Sequence, residues 1–171
     1  MEAWLTVFQA SDEHRGAVHD LFHEYLHWVC SILQREYDLT FDPGAILEHD
    51  MESLRIFMPP GGRLLLVSDE DGIAGCACVR TIGPRLAEIK RMYVRPAWRR
   101  RGIGRALVDA AVAEMRAAGY TRMRLDSARF MAEAQALYRS AGFRDTAPYP
   151  ESEIPPEYWA HWVFMELPLD A

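Results

Sequence analysis

The chain contains 171 residues, of which 50% are hydrophobic and 26% are charged, and it carries a formal net charge of -6 at pH 7. This length suits one domain with a substantial core, over residues 1–171, and the composition excludes a disordered or fibrous protein. The acidic net charge, with basic residues concentrated between 95 and 105, disfavours a nucleic-acid partner, which needs a basic face spread over many phosphates.

The first half of the chain is predicted to contain two helices and four strands. β-Branched and aromatic residues favour strands, whereas apolar residues spaced three and four apart favour an amphipathic helix. Prolines and glycines at 59–62 close the second helix, and the sequence DEDG predicts the turn of a β-hairpin. The predicted elements are a strand over 2–9, helices over 12–34 and 43–57, and strands over 63–68, 73–82 and 86–94.

The second half alternates between strands and helices. A wide apolar stripe predicts a helix over 102–118, which Gly119 ends, and a strand over 121–127 follows. Such a strand, helix and strand normally give parallel strands through a right-handed crossover. A helix over about 130–141 and strands beginning at 143 and 159 complete the chain. The predicted fold class is therefore α+β (mixed α/β), with a mixed sheet of six to seven strands and about four helices.

The stretch WRRRGIGRAL, residues 98–107, has the composition of an anion-binding loop. Gly102 and Gly104 open a predicted helix, whose first turn leaves amide groups free and carries a partial positive charge. The loop alone is equally consistent with a simple connector. A P-loop is excluded because Arg105 follows the glycines instead of Lys-Ser/Thr, and a dinucleotide-binding fold would need a third glycine at Leu107, although Asp126 lies at a suitable distance downstream.

Together with its surroundings, this loop resembles the central motif of the GCN5-related N-acetyltransferases, the GNAT family. The family consensus Arg/Gln-x-x-Gly-x-Gly/Ala is met by Arg99, Gly102 and Gly104, within LAEIKRMYVRPAWRRRGIGRALVDAAV. The family's second element, Ala-Leu-Tyr-x-x-x-Gly-Phe, is matched by residues 136–143. The resemblance extends over about 62–147 and covers the last strand more loosely. In residues 10–60 it is limited to the presence of two helices where the family has them.

The resemblance implies a splayed sheet that holds acetyl-CoA between the strands 86–94 and 121–126. The pyrophosphate would bind backbone amides of 100–105, the main chain of 92–94 would bond the pantetheine arm, and nearby arginines would meet the ribose 3'-phosphate. The cofactor-binding residues expected on this basis are Met92, Tyr93, Val94, Arg99, Arg100, Arg101, Gly102, Ile103, Gly104 and Arg105.

Acyl transfer to an amine needs a proton acceptor, a donor to the developing oxyanion and an acid for the leaving thiolate. By the resemblance, Tyr138 is the acid, Glu88 is the base, often through water, and the amide of Met92 or Tyr93 polarises the thioester. The alternatives are a packing role for Tyr138 and a surface position for Glu88. Many relatives have an asparagine where this chain has Met131, and Ser127 either supplies a hydroxyl or caps the following helix.

Three histidines, His19, His23 and His27, share one helical face and could in principle bind a metal ion. A solvent-exposed polar face or a wall of the acceptor pocket is favoured instead, and no metal site is expected. Aromatic residues, among them Trp28, line either the acceptor pocket or the core.

The hypothesis is an acetyl-CoA-dependent N-acetyltransferase that acts on a small-molecule amine, cationic because the N-terminal helices are acidic. The alternative is a coenzyme A-binding sensor without turnover. The sequence leaves both a monomer and a homodimer open.

No run of about 18 apolar residues occurs, and the N-terminal stretch lacks the basic and apolar segments of an export signal. We therefore expect a cytoplasmic protein without a membrane partner. The cysteines Cys30, Cys76 and Cys78 are expected to be free thiols.

Overall fold

A computed structural model of the chain describes residues 4–170, which contain four α-helices, seven strands and several short 3-10 turns. The part of the predicted first strand before residue 4 lies outside the described residues. In chain order the elements are β1 (Thr6–Gln9), α1 (Arg15–Tyr37), α2 (Pro43–Glu52), β2 (Arg63–Asp69), β3 (Gly72–Gly83), β4 (Leu86–Val94), α3 (Ile103–Ala117), β5 (Arg122–Ala128), α4 (Ala132–Ser140), β6 (Arg144–Asp145) and β7 (Trp162–Pro168).

The seven strands form one mixed sheet in the order β1-β2-β3-β4-β5-β7-β6. Neighbouring strands are antiparallel except β4 and β5, which are parallel, as the crossover through α3 predicts. β4 and β5 pair only over 86–89 and 122–125, and the remainder of β4 has no partner on that edge. The predicted fold class and the splayed sheet are confirmed.

A β-bulge lies in β4 just beyond the point where it parts from β5. Cys76 is opposite Tyr93 and Cys78 is opposite Lys90, so β4 contains one more residue than β3 over this stretch. Arg91, within the bulge, has φ 50°, a left-handed conformation that costs a non-glycine residue about 1–2 kcal/mol. The bulge therefore needs stabilising contacts from elsewhere.

Helices cover both faces of the sheet. The stripe of α3, including Leu107 and Met115, packs on one face against Ile89 and Leu125. The opposite face packs against α1 and α2, where Phe22 is fully buried. Burying these apolar surfaces provides most of the favourable free energy of folding. The three cysteines are buried and free.

Two predicted boundaries near the C-terminus are wrong. The last strand begins at Trp162 and not at 159, because residues 156–161 form a 3-10 turn after Pro155. β6 is reduced to two residues. After it, the Thr146 amide donates a hydrogen bond to the Phe164 carbonyl of β7. None of the helices between residues 4 and 170 combines the length and the hydropathy needed to cross a membrane.

Candidate functional site

A cleft of about 690 Å³ opens where β4 and β5 separate. This volume is in the range of small-molecule and cofactor sites. The cleft is bounded by α1, β4, the loop before α3, the end of β5 and the start of α4. Its lining residues are Tyr25, Trp28, 89–94, 98–100, 102–105, Asp126, Ser127, 130–134, Leu137 and Tyr138.

One end of the cleft is formed by the glycine loop and the first turn of α3. The first helical hydrogen bond of α3 runs from the Ala106 amide to the Gly102 carbonyl, at 3.0 Å. Along the described chain, the amides of 103–105 have no backbone acceptor, and the dipole of a 15-residue helix adds to their partial charge. These groups fit the pyrophosphate of acetyl-CoA, as the sequence predicts for residues 100–105.

Glycine is required at two positions of this loop for different reasons. Gly102 has φ 76°, which other residues adopt only at a cost. Gly104 lies against the cleft floor, where an added Cβ would come within 3.0 Å of the Leu137 side chain and 3.4 Å of Met92. The glycine therefore leaves the helix terminus accessible to a ligand.

The arginines of the loop have different partners. Arg105 pairs with Asp109 at 2.8 Å, and Arg101 turns towards Asp69 at 3.7 Å and is not part of the cleft lining. Arg99 donates to the Val94 carbonyl at 2.9 Å, and its guanidinium lies 5.4 Å from the Trp28 ring centre. Arg100 lines the cleft and forms no salt bridge within residues 4–170, so its charge is available to a phosphate.

The predicted pantetheine residues Met92, Tyr93 and Val94 lie on the unpaired edge of β4, directly after the bulge. Arg91 fixes the bulge through two bonds to the buried Asp50 of α2, Nε to Oδ2 at 2.6 Å and Nη2 to Oδ1 at 3.1 Å. Burial alone would lower the pKa of the Arg91 guanidinium, but the Asp50 carboxylate raises it above its ordinary value. The guanidinium therefore remains ionised, and its two bonds to Asp50 help to offset the backbone strain at this position.

Tyr138, the predicted acid, lines the cleft from α4. Its ring is buried, and its hydroxyl contacts the Met92 sulfur at 3.5 Å. Burial raises the pKa of this phenol, and the nearby Tyr25 and Asp126 raise it further. The hydroxyl therefore keeps its proton at neutral pH, and it is a weaker acid than an exposed tyrosine.

Glu88, the predicted base, lies outside the cleft lining. It is fully buried, with one oxygen 2.9 Å from Arg80 Nε and the other accepting a 2.7 Å bond from the Tyr149 hydroxyl. Burial raises the pKa of Glu88, against the opposing effect of Lys90 and Arg80. Both carboxylate oxygens are thus engaged by protein groups, and Glu88 precedes the point where the strands separate.

Asp126 is the cleft carboxylate that the sequence reasoning did not assign to the acyl transfer. It is the first residue of β5 beyond the last pair with β4, and its Oδ2 accepts a 2.9 Å bond from the Ser152 hydroxyl. Asp126 takes part in no salt bridge with residues 4–170. The signal was present in TRMRLDS, where Arg122, Arg124 and Asp126 alternate with apolar residues and so share one face of the strand.

The fold decides between the two roles considered for Ser127 at the start of α4. Ser127 does not cap α4, whose N-cap is Met131, and its hydroxyl instead contacts the Met131 sulfur at 3.7 Å. The histidines of α1 stack on an exposed face, with the His23 and His27 ring centres 4.0 Å apart. No arrangement of three or more potential metal ligands occurs between residues 4 and 170.

Aromatic residues form the wall of the cleft beside α1. Trp28 lies 5.9 Å edge-on to Phe130 and 6.5 Å from Tyr25, between ring centres. Burial, opposed by Arg91 and aided by Asp126, raises the pKa of Tyr25 to about 12. Of the aromatic residues considered in the sequence, Trp28 therefore lines the cleft, whereas Trp162 and Tyr149 belong to the core.

The acetyltransferase (GNAT) family model matches residues 11–143. An uncharacterized N-acetyltransferase of Schizosaccharomyces pombe is 38% identical over 132 residues, which cover 76% of this chain and 77% of that protein. A GNAT-family acetyltransferase of Staphylococcus aureus has the same fold, with a TM-score of 0.75 at 18% identity over 98% of this chain and 100% of the other. The Salmonella typhimurium protein solved with its cofactor acetyl-CoA has a TM-score of 0.69 at 24% identity, over 99% and 96% of the two chains.

Proposed function

Because the chain belongs to the GNAT family of acetyltransferases, we propose that it transfers the acetyl group of acetyl-CoA directly to a small-molecule primary amine. The observation that carries this proposal is the composition of the cleft. Free amides at the α3 terminus, the unpaired edge of β4 and the Tyr138 hydroxyl all belong to it. These groups suit the pyrophosphate, the pantetheine amides and the thioester sulfur, in that order along the co-substrate.

Acetyl-CoA is bound mainly through the backbone. The amides of 103–105 receive the pyrophosphate, and the edge of β4 over 92–94 bonds the pantetheine arm as a neighbouring strand would. Arg100 meets the ribose 3'-phosphate, because its charge has no protein partner in the described part of the chain. The amide of Met92 or Tyr93, oriented by the bulge, donates to the thioester oxygen as negative charge develops there.

The amine is held and deprotonated at Asp126. The carboxylate pairs with the ammonium form and takes one proton from it, which then passes to solvent. The neutral nitrogen attacks the thioester carbon, so that the C–N bond forms and the C–S bond breaks. Tyr138 protonates the departing thiolate and is reprotonated with the second proton of the amine. Glu88 contacts Arg80, Lys90 and Tyr149 outside the cleft lining, and the second candidate role for it, a base acting through water, is tested by its own substitution.

A screen of amines tests the proposal directly. The protein is incubated with acetyl-CoA and single amines, and released thiol and acetylated product are both measured. We expect stoichiometric thiol and product with at least one primary amine, and neither with the corresponding tertiary amine. Tight acetyl-CoA binding without product from any amine in a broad panel would favour a coenzyme A sensor instead.

A further inference from the structure

The side-chain charges around the cleft are mostly positive. Lys90, Arg91, Arg99, Arg100 and Arg105 line it, and the lining carboxylates are Asp126 and Glu133. Glu133 is exposed at the start of α4, whereas Asp126 is half-buried on β5. A single carboxylate inside the cleft can pair with one ammonium group. A second positive charge on the same acceptor molecule would lie near the cationic side chains that line the cleft.

The acidic residues of the N-terminal helices do not supply a second partner. Asp50 is bound by Arg91, and Glu24 forms a 3.1 Å salt bridge with Arg95. Neither belongs to the cleft lining, to which α1 contributes only Tyr25 and Trp28. The acidic N-terminal helices were expected to favour a cationic amine, but the carboxylate that can pair with its ammonium group is Asp126 on β5.

The wall facing this carboxylate is aromatic. Tyr25, Trp28 and Phe130 line it, and 37% of Trp28 remains exposed, although large apolar side chains are usually buried. The Arg99 guanidinium lies over the Trp28 ring, 5.4 Å from its centre, so this cation–π contact covers part of one ring face. Rings of this kind favour an apolar or aromatic skeleton, and they also stabilise an ammonium group held close to them.

We propose that the acceptor is a monoamine whose primary amino group is carried on an aromatic skeleton, with the ammonium at Asp126 and the ring against Trp28 and Phe130. This inference rests on the proposed function and adds the substrate class to it. Polyamines and lysine-rich peptides are disfavoured because their further cations would meet Arg99, which forms no salt bridge within residues 4–170, whereas Glu153 and Asp50 are already engaged by Lys90 and Arg91.

A matched panel of amines tests the class. Acetylation of 2-phenylethylamine and tryptamine is compared with that of n-propylamine, putrescine, spermidine and a lysine-containing peptide, at saturating acetyl-CoA. We expect kcat/KM for the aromatic monoamines to exceed the others by at least tenfold. A preference for putrescine, spermidine or the peptide overturns this inference and leaves the proposed function intact, whereas absence of product with every amine overturns both.

Removing the ring of Trp28 tests the contact itself. Trp28→Ala is expected to lower kcat/KM for 2-phenylethylamine about tenfold, mainly through KM, while kcat/KM for n-propylamine changes less than threefold. Trp4→Ala is the control, because Trp4 is 86% exposed and lies outside the cleft lining. Binding of acetyl-CoA, measured by calorimetry, should stay within twofold in both variants. Equal losses for the aromatic and the aliphatic amine would overturn the assignment of Trp28.

Discussion

The two ends of the cleft present different chemical groups, backbone amides at one end and side chains at the other. The end formed by α3 offers backbone amides, and the arginines around it are exposed. The acceptor end is built from side chains. Buried ion pairs lie next to it, in which Glu88 is bound by Arg80, Lys90 by Glu153 and Asp50 by Arg91. Backbone groups persist through most substitutions, whereas a side-chain site changes with each one. The acceptor end is thus where a chain of this fold can be altered to accept a different amine.

The largest effect is expected from a negative charge at the amide end. Gly104→Asp should reduce acetyl-CoA affinity more than a hundredfold, because the new carboxylate occupies the phosphate position and repels it. Calorimetric titration measures the loss.

The same substitution should retain the fold, because acidic residues in the first turn stabilise a helix and the new Cβ contacts only the flexible ends of Leu137 and Met92, which must shift slightly. Gly16→Asp is the matched control, because Gly16 holds the equivalent second position of α1 and is exposed. Retained affinity in Gly104→Asp, with a melting temperature equal to that of the control, would exclude this end as the phosphate site.

The second effect concerns proton donation at the sulfur. Tyr138→Phe should lower kcat about a hundredfold and change the Kd for acetyl-CoA less than twofold, because only the hydroxyl is removed. Steady-state kinetics and calorimetry separate the two quantities. Tyr120→Phe, a tyrosine outside the cleft lining, is the control. An unchanged kcat would assign Tyr138 to packing alone.

A third experiment compares the two carboxylates. Asp126→Asn should lower kcat/KM for the amine about thirtyfold, with a higher KM, because both the pairing charge and the proton acceptor are lost. Glu88→Gln should lower kcat less than threefold but reduce the melting temperature by roughly 5 °C, since a buried ion pair loses one partner. The reverse outcome, with turnover lost only in Glu88→Gln, would identify Glu88 as the base.

The smallest effect is a pH-dependent stability of the acceptor end. Glu153 bonds Lys90 at 2.8 Å, and although burial acts to raise its pKa, Lys90 and Arg91 lower it to about 2. A depressed carboxyl pKa contributes stability above about pH 4.5, and this contribution disappears as the pH falls towards 2.

Glu153→Gln should therefore lower the melting temperature at pH 7 by about 2–4 °C, corresponding to about 1 kcal/mol, because the 34% exposure of the Glu153 side chain screens the pair. The difference between variant and parent should shrink in melts recorded from pH 5 to pH 3. A difference that is constant over this range would show that the charge of Glu153 is not responsible.

The elements that position the cleft were predictable from local pattern. The segment LAEIKRMYV after Gly83-Pro84 predicts the observed bounds of β4 at 86 and 94, and the stripe of α3 predicts its helix to within one residue at each end. The parallel pairing followed from the crossover rule, and the separation of the strands from the resemblance carried by Arg99, Gly102 and Gly104.

The polar partners were not predictable in the same way, because they join distant parts of the chain. Glu88 receives its bond from Tyr149, 61 residues away, and Arg91 meets Asp50, 41 residues away. A period of two or 3.6 residues reports which face a side chain occupies, and gives no information about what lies opposite. Glu88 was therefore recognised by its motif, while its enclosure by Arg80 and Tyr149 required the fold.

The pairing between β4 and β5 consists of four residue pairs, and it is the sole ladder joining strands β1–β4 to strands β5–β7 in the part of the chain described here. The two parts of the sheet are otherwise held together by α3, whose apolar stripe packs against both Ile89 and Leu125. The open stretch of the sheet therefore keeps its width because a helix spans its floor, and a co-substrate can enter between the strands without breaking a strand pair.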